Sequence, residues 1–372
     1  MIKAKNLQYF LCFILIIAFI GCKKSDDTPI KIGFIGNLTG PASDVGVSCR
    51  NAVELAFEQF NQKGGISGHK VELIVRNNKY DHKVLKEELE SLFALKVPII
   101  IGPMFSGMAL SAAETNKGSG TVCISPTAGT SLLSEIDDNF FRTYPANKIV
   151  ASTFAKYLVE NSSSKLSVII NEENSAFTED WLKYFRESYL SGGSRILQEV
   201  KFQSSSDISY DNIAREVIGQ NSDSILIIAS ALDTGMFVQR LSIDGTSAKL
   251  FATEWSMTPQ LIRTGGKAVD GIKMFHAANY NSNSDKHIAF IKTYTSRFGE
   301  APNFPALLAF DASLVALDAV VKSFKNEKPI KSILLNHEFE VLDSTLHFDA
   351  YGDVLRPLHL YEVRDGKFET VY

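Results

Sequence analysis

Hydrophobic positions along this chain follow two periods in alternation. Short apolar runs at Lys31–Gly36, Val71–Val75, Val97–Gly102 and Thr121–Ser125 predict strands. Between them lie segments with helical spacing: Val47–Asn61, with Val47, Val53, Ala56, Phe57 and Phe60 on one face, then Val84–Leu95 and Met108–Lys117. Gly64-Gly65 stops the first of these helices. The alternation then restarts. Ala151–Glu160, Glu179–Leu190, Tyr210–Ile218 and Gly235–Ile243 read as helices, and Leu166–Ile170, Ile196–Phe202 and Ile225–Ala229 as the strands among them. Leu250–Ala252 and Gly271–Phe275 read as short strands, and Ile288–Phe298 and Ala306–Phe324 as helices. Short apolar strands between amphipathic helices predict parallel βαβ units, whose strands are buried on both faces. Two consecutive sets predict an α/β chain of two doubly wound parallel-sheet lobes. The tail changes character: Leu346–Phe348, Tyr351-Gly352-Asp353 and Leu358–Val363 with Arg364–Lys367 predict hairpins.

Ahead of the first strand the pattern differs. Met1–Lys5 is basic, Leu11–Ile20 is a nearly unbroken apolar run, and Gly21-Cys22 leads into the charged stretch Lys23–Pro29. This order predicts a secretory signal of the lipoprotein type over residues 1–21, cleavage before Cys22, a lipid on the Cys22 thiol, and a tether over 22–29. The alternative is an uncleaved anchor, for which the run is short of the ~20 residues a span needs. Both place the rest of the chain outside the cytoplasm and tethered to a membrane. No later apolar stretch is expected to be long enough to cross a bilayer.

Composition narrows the partners. The net charge is −4 and no basic stripe appears, which argues against nucleic acid. Cys12 leaves with the signal, so Cys49 and Cys123 are the remaining thiols. An oxidising compartment permits a disulfide between them. Their settings, a helix start and an apolar strand, fit two separate buried thiols better. The seven histidines form no HExxH or HxH pair, and no CxxC, GxSxG or P-loop is present. No metal, cofactor or catalytic constellation is expected, and an enzyme is not.

In open α/β sheets, ligands meet the carboxyl ends of strands. Two such loops are rich in hydroxyls and glycine: Pro103-Met104-Phe105-Ser106-Gly107, and Ser125-Pro126-Thr127-Ala128-Gly129-Thr130-Ser131. Each feeds a helix start, whose free N–H groups suit a carboxylate. A single loop of this kind is ordinary N-capping; two after nearby strands make a carboxylate site. In the second set, Thr253-Glu254-Trp255 follows a strand. Glu254 and Trp255 fit either an ammonium site with a cation–π face or a surface acid beside a packing indole. Phe177 fits a cleft wall or a core position. Asp233 fits a cleft or a helix N-cap, and the cap is preferred.

These residues carry a resemblance. Ile32-Gly33-Phe34-Ile35-Gly36 with Leu38-Thr39-Gly40-Pro41, Ala52–Asn61 with Lys63-Gly64-Gly65-Ile66-Ser67-Gly68, Ile100-Ile101-Gly102-Pro103 with Ser106, and Ile124-Ser125-Pro126-Thr127-Ala128 belong to it. So do Asp207-Ile208-Ser209, Thr253-Glu254-Trp255 and Ala309-Phe310-Asp311-Ala312. From about Ile30 to the end, the chain resembles the type I periplasmic binding proteins, in particular the leucine/isoleucine/valine-binding branch of ABC-transporter receptors. The resemblance implies two lobes joined by three crossovers: residues 30–147 with 279–332, and 148–278 with 333–372. It implies an extracytoplasmic receptor that clamps a small polar solute, an amino acid or a related compound, and delivers it to an ABC permease. A protein-interaction or ligand-sensing lipoprotein of the same fold is the alternative. Ser106 matches the serine that holds the ligand carboxylate, and Thr127 and Ala128 match positions contributing backbone groups. Gly129 stands where the family has Thr, with Thr130 as its substitute after a local shift. Glu254 matches the acid that binds the ligand ammonium, Phe177 replaces a common Tyr, and Val45 a common aromatic at the cleft mouth.

Overall fold

The computed structural model describes residues 28–40, 42–161, 164–204 and 207–371. The signal, Cys22 and all of the tether but its last two residues lie outside them. Five strands form the first sheet: β1 (Ile30–Gly36), β2 (Val71–Asn77), β3 (Ile99–Ile101), β4 (Val122–Ser125) and β5 (Phe140–Arg142), all parallel, in the order β2-β1-β3-β4-β5. The second sheet repeats this build with β6 (Lys165–Asn171), β7 (Arg195–Phe202), β8 (Ser224–Ile228), β9 (Lys249–Ala252) and β10 (Lys273–His276), in the order β7-β6-β8-β9-β10. The second sheet is mixed. The antiparallel strands β11 (His359–Arg364) and β12 (Lys367–Thr370) extend it beyond β10.

The helices form because their apolar positions recur on one face, and their ends are capped. In α1 (Ser43–Gln62) the buried stripe is Val45, Cys49, Ala52, Val53, Ala56 and Phe57. In α2 (His82–Ala94), the Asp81 carboxylate accepts from the Val84 N–H at 2.9 Å. The helices α3 (Ser106–Thr115), α4 (Asn147–Glu160), α5 (Ser175–Ser191), α6 (Tyr210–Ile218) and α7 (Ala231–Ile243) follow β3, β5, β6, β7 and β8 respectively. The helix Phe304–Asn326 corrects one expectation. It is long and apolar enough to cross a membrane, yet it is buried as the core helix of the first lobe. Cys49 and Cys123 are both buried free thiols.

The chain passes from the first sheet to the second between Arg142 and Asn147. Its last return differs from the boundary at residue 333. Ile330–Asn336 is a helix, and the two-stranded ribbon Phe339–Glu340/Thr345–Leu346 still packs on the first lobe. Phe348 meets Phe141 edge-on at 5.2 Å, and the Arg142 N–H donates to the Gly352 carbonyl at 3.1 Å. The Asp353 carboxylate takes Arg142 Nε and Nη2 at 2.6 and 2.9 Å. The segment therefore stays with the first lobe as far as Asp353 and leaves it near Arg356, whose guanidinium pairs with buried Asp311. Hairpin character reads the same in either lobe, so the sequence pattern carried no information on which sheet this piece joins.

Candidate functional site

Each sheet reverses its strand order, between β1 and β3 and between β6 and β8, and the residues at these strand ends face each other across a cleft. After β3, Gly102 has φ 112°, and a Cβ there would lie 2.1 Å from the Ile35 carbonyl oxygen. Only glycine allows this approach. The chain then enters α3 at Ser106, whose first-turn N–H groups have no partner within the helix.

Hydroxyls staple this loop to the one after β4. Ser125 donates to the Pro103 carbonyl at 2.6 Å, and Thr127 donates to the Met104 carbonyl at 2.7 Å. The Thr130 N–H donates to Ser106 Oγ at 3.3 Å, and the Ala128 N–H donates to Ser125 Oγ at 3.1 Å. Thr127 has therefore committed its proton. Ser106 Oγ accepts a bond, and its own proton has no acceptor among the described residues.

Ser106, Thr127, Phe177, Glu254 and Trp255 line one narrow cavity of about 40 Å³ between the lobes. Ser125, Ala128 and Thr130 do not; they are wholly buried behind it. Thr130 is not the stand-in that its position next to Gly129 suggested. Its Oγ1 caps the short 3₁₀ turn Ser131–Leu133 by accepting from the Leu132 N–H. The loop does not shift, because Asn147 occupies the space. A Cβ on Gly129 would lie 2.3 Å from Asn147 Oδ1, while the Asn147 N–H donates to the Gly129 carbonyl at 2.6 Å. Gly129→Thr should therefore cost about 1–3 kcal/mol, measured by urea unfolding.

Glu254 opens a 3₁₀ turn directly after β9, and only 4% of its surface is exposed. Neither carboxylate oxygen has a hydrogen-bond partner among the described residues; the Trp181 indole N–H is its polar neighbour and is also unpartnered. Burial pushes its pKa up to about 8. Two further cavity groups are unpartnered, Asn174 Oδ1 and the Tyr144 hydroxyl. Burial, with Glu254 alongside, raises Tyr144 well above the usual phenol range. Behind Tyr144, buried His276 is held down to about 3 and so stays neutral. The cavity thus presents buried acceptors whose protein neighbours, the Trp181 indole and the protonated Tyr144 hydroxyl, are neutral and bring no positive charge.

The apolar walls include Met104, Phe105 and Phe304, and Phe177 meets Trp255 edge-on at 5.9 Å. Phe177 is thus both packed and cleft-lining. Tyr144, Asn174 and Phe304 were missed from sequence. Tyr144 sits just past β5, a strand absent from the predicted elements. Asp233 is not the N-cap. Ser230 caps α7 by accepting from the Asp233 N–H at 3.2 Å, and Asp233 lines a second cleft that shares Val45, Phe105 and Trp255 with the cavity.

Outside the cavity, Asp180 makes a polar contact between the lobes among the described residues. The Ser131 N–H donates to Asp180 Oδ2 on α5 at 2.7 Å, and Asn147 Nδ2 donates to the same oxygen at 3.0 Å. Asp180→Ala should weaken ligand binding about five- to tenfold through the closed state alone, seen as faster dissociation by stopped flow.

Comparison with known proteins bears on this geometry. Leu/Ile/Val-binding protein homolog 3 of Brucella melitensis is 22% identical over 364 residues, 94% of this chain and 95% of that protein. The branched-chain amino acid transporter substrate-binding protein LivJ of Streptococcus pneumoniae, solved with isoleucine, superposes with a TM-score of 0.84 at 21% identity, covering 92% of this chain and 99% of that one. A solute-binding protein of an R. palustris ABC transporter, solved with benzoate, gives 0.82 at 18% identity, covering 92% and 96%. Residues 29–367 match the periplasmic binding protein family, and over that length the chain belongs to it.

Proposed function

We propose that this protein is a lipid-anchored receptor that clamps an α-amino acid between its lobes and hands it to an ABC permease. Family membership sets the frame: a binding protein acting outside the cytoplasm on a small-molecule ligand. The observation that carries the finer reading is Glu254, a buried carboxylate whose two oxygens are unpartnered among the described residues, in a cavity that Asn174 also lines. An ammonium supplies the positive charge that the neutral Trp181 indole and Tyr144 hydroxyl cannot, and ion pairing offsets the cost of a buried charge. Opposite it, the Ser106 hydroxyl and the first-turn N–H groups of α3 receive the carboxylate, with the Thr127 loop beside them. Phe105, Phe177 and Trp255 enclose the side chain. Binding energy shifts an open–closed equilibrium, with Thr143–Ala146 among the hinge segments. Cys22 carries the lipid, after removal of residues 1–21.

Thermal unfolding of protein refolded to strip bound ligand tests this reading. An α-amino acid at a hundredfold excess over its Kd adds about 2.7 kcal/mol, while the matching α-keto acid, lacking the ammonium, adds far less. A melting point unmoved by every α-amino acid overturns it.

A further inference from the structure

The inner cavity adjoins a second cleft of about 410 Å³, which shares Val45, Phe105 and Trp255 with it. Its walls carry three acids from three elements. Asp44 sits in the first turn of α1, Glu173 follows β6, and Asp233 lies in the first turn of α7. Among the described residues, no Lys or Arg lines either space. Asp233 is buried, and its carboxylate is held by neutral hydroxyls: Ser204 and Ser230 on Oδ2, Tyr210 on Oδ1. Glu173 stands close enough for Asp233 to raise its pKa, together with burial. Arg263 acts on Asp44 only weakly through space, and its guanidinium bonds Gln260. None of Asp44, Glu173, Asp233 and Glu254 pairs with a cation within 4.0 Å among the described residues.

Acids on a surface ordinarily face water and mean little. Here an independent feature points to a ligand: the buried Glu254, unpartnered among the described residues, lines the adjoining cavity across the shared walls Val45, Phe105 and Trp255. The connecting stretch is apolar and aromatic, and Tyr80 packs edge-on against Phe105 at 5.0 Å where the cleft widens. Apolar walls between two negative ends match a solute with a cation at each end and methylenes between. Aromatic faces beside the outer acids add cation–π attraction.

Building on the amino-acid receptor reading, we infer that the solute is an α-amino acid whose side chain ends in a cation. Its α-ammonium meets Glu254, its methylenes run past Val45, Phe105 and Trp255, and its terminal charge rests between Asp44 and Glu173 with Asp233 behind.

Isothermal titration of the refolded full chain with L-lysine, L-arginine and L-norleucine tests this, since norleucine keeps the α-amino acid and a linear side chain without the terminal charge. At low salt, the tighter of lysine and arginine should exceed norleucine by about tenfold or more. In the double variant Asp44→Asn/Glu173→Gln that ratio should fall towards one. Both residues reach the surface and pair with no cation within 4.0 Å among the described residues, so the variant is expected to fold, which its urea unfolding curve checks. Norleucine binding as tightly as the basic amino acids, or a ratio unchanged in the double variant, overturns the inference and leaves the amino-acid reading standing. Failure of every α-amino acid to bind overturns both.

Discussion

Glu254→Gln should raise the melting temperature of the ligand-free protein at pH 9 and lower its affinity for an α-amino acid by about ten- to a hundredfold. Both effects come from one buried charge. The folded state holds the Glu254 proton up to about pH 8, whereas the unfolded chain releases it near 4.5. Between those values the folded state binds more protons than the unfolded one. Stability therefore falls as pH rises through this window and levels off above it. The cost is on the order of a few kcal/mol at pH 9 and vanishes below about 4.5. Gln does not ionise, so the variant lacks this slope. Melting curves of both proteins at pH 5 and pH 9 read it directly. For the ligand the sign reverses, because losing a charge-assisted hydrogen bond to an ammonium costs about 1.5–3 kcal/mol. A variant that is more stable when empty and weaker in binding is the mark of a group kept for its ligand rather than for the fold.

The second large effect is structural. Asp353→Ala should destabilise the protein by about 3–5 kcal/mol in urea unfolding, because it leaves the Arg142 guanidinium, only 1% exposed, without its counter-ion. Arg142 also donates to the Thr130 carbonyl and to Ser134 Oγ, both at 2.5 Å. It thus ties the loop that carries Thr127 to the segment returning from the core helix. Ligand affinity should fall along with stability. Replacing both partners by apolar residues of similar volume should lose less than Asp353→Ala alone, since no unpaired charge then remains.

Much of the fold was legible because its central strands are buried on both faces and read as apolar runs. β3, Ile99-Ile100-Ile101, is the plainest case. β5 was not legible: Phe140-Phe141-Arg142 is three residues long and ends in a charged residue that is buried only by virtue of Asp353, more than two hundred residues away. The final crossover was misplaced for the same reason. Its position is set by side-chain contacts such as Phe141–Phe348, which local pattern does not encode. At the site, Glu254, Trp255, Ser106 and Thr127 stood out because they follow apolar strands directly. Ser125 and Thr130 share that signal, yet their groups are used in stapling loops. A hydroxyl reads the same in sequence whether it faces a ligand or a carbonyl. The role of Gly129 was also hidden, since it depends on Asn147 filling the space beside it.

The most direct test of the central claim is the proton balance of binding. The α-amino acid that raises the melting point most is titrated calorimetrically at pH 7 in two buffers of different ionisation enthalpy. An ammonium clamped by Glu254 requires the carboxylate to ionise, so binding should release close to one proton, and Glu254→Gln should abolish the release. A binding heat independent of the buffer in the unaltered protein would contradict an ammonium held by Glu254.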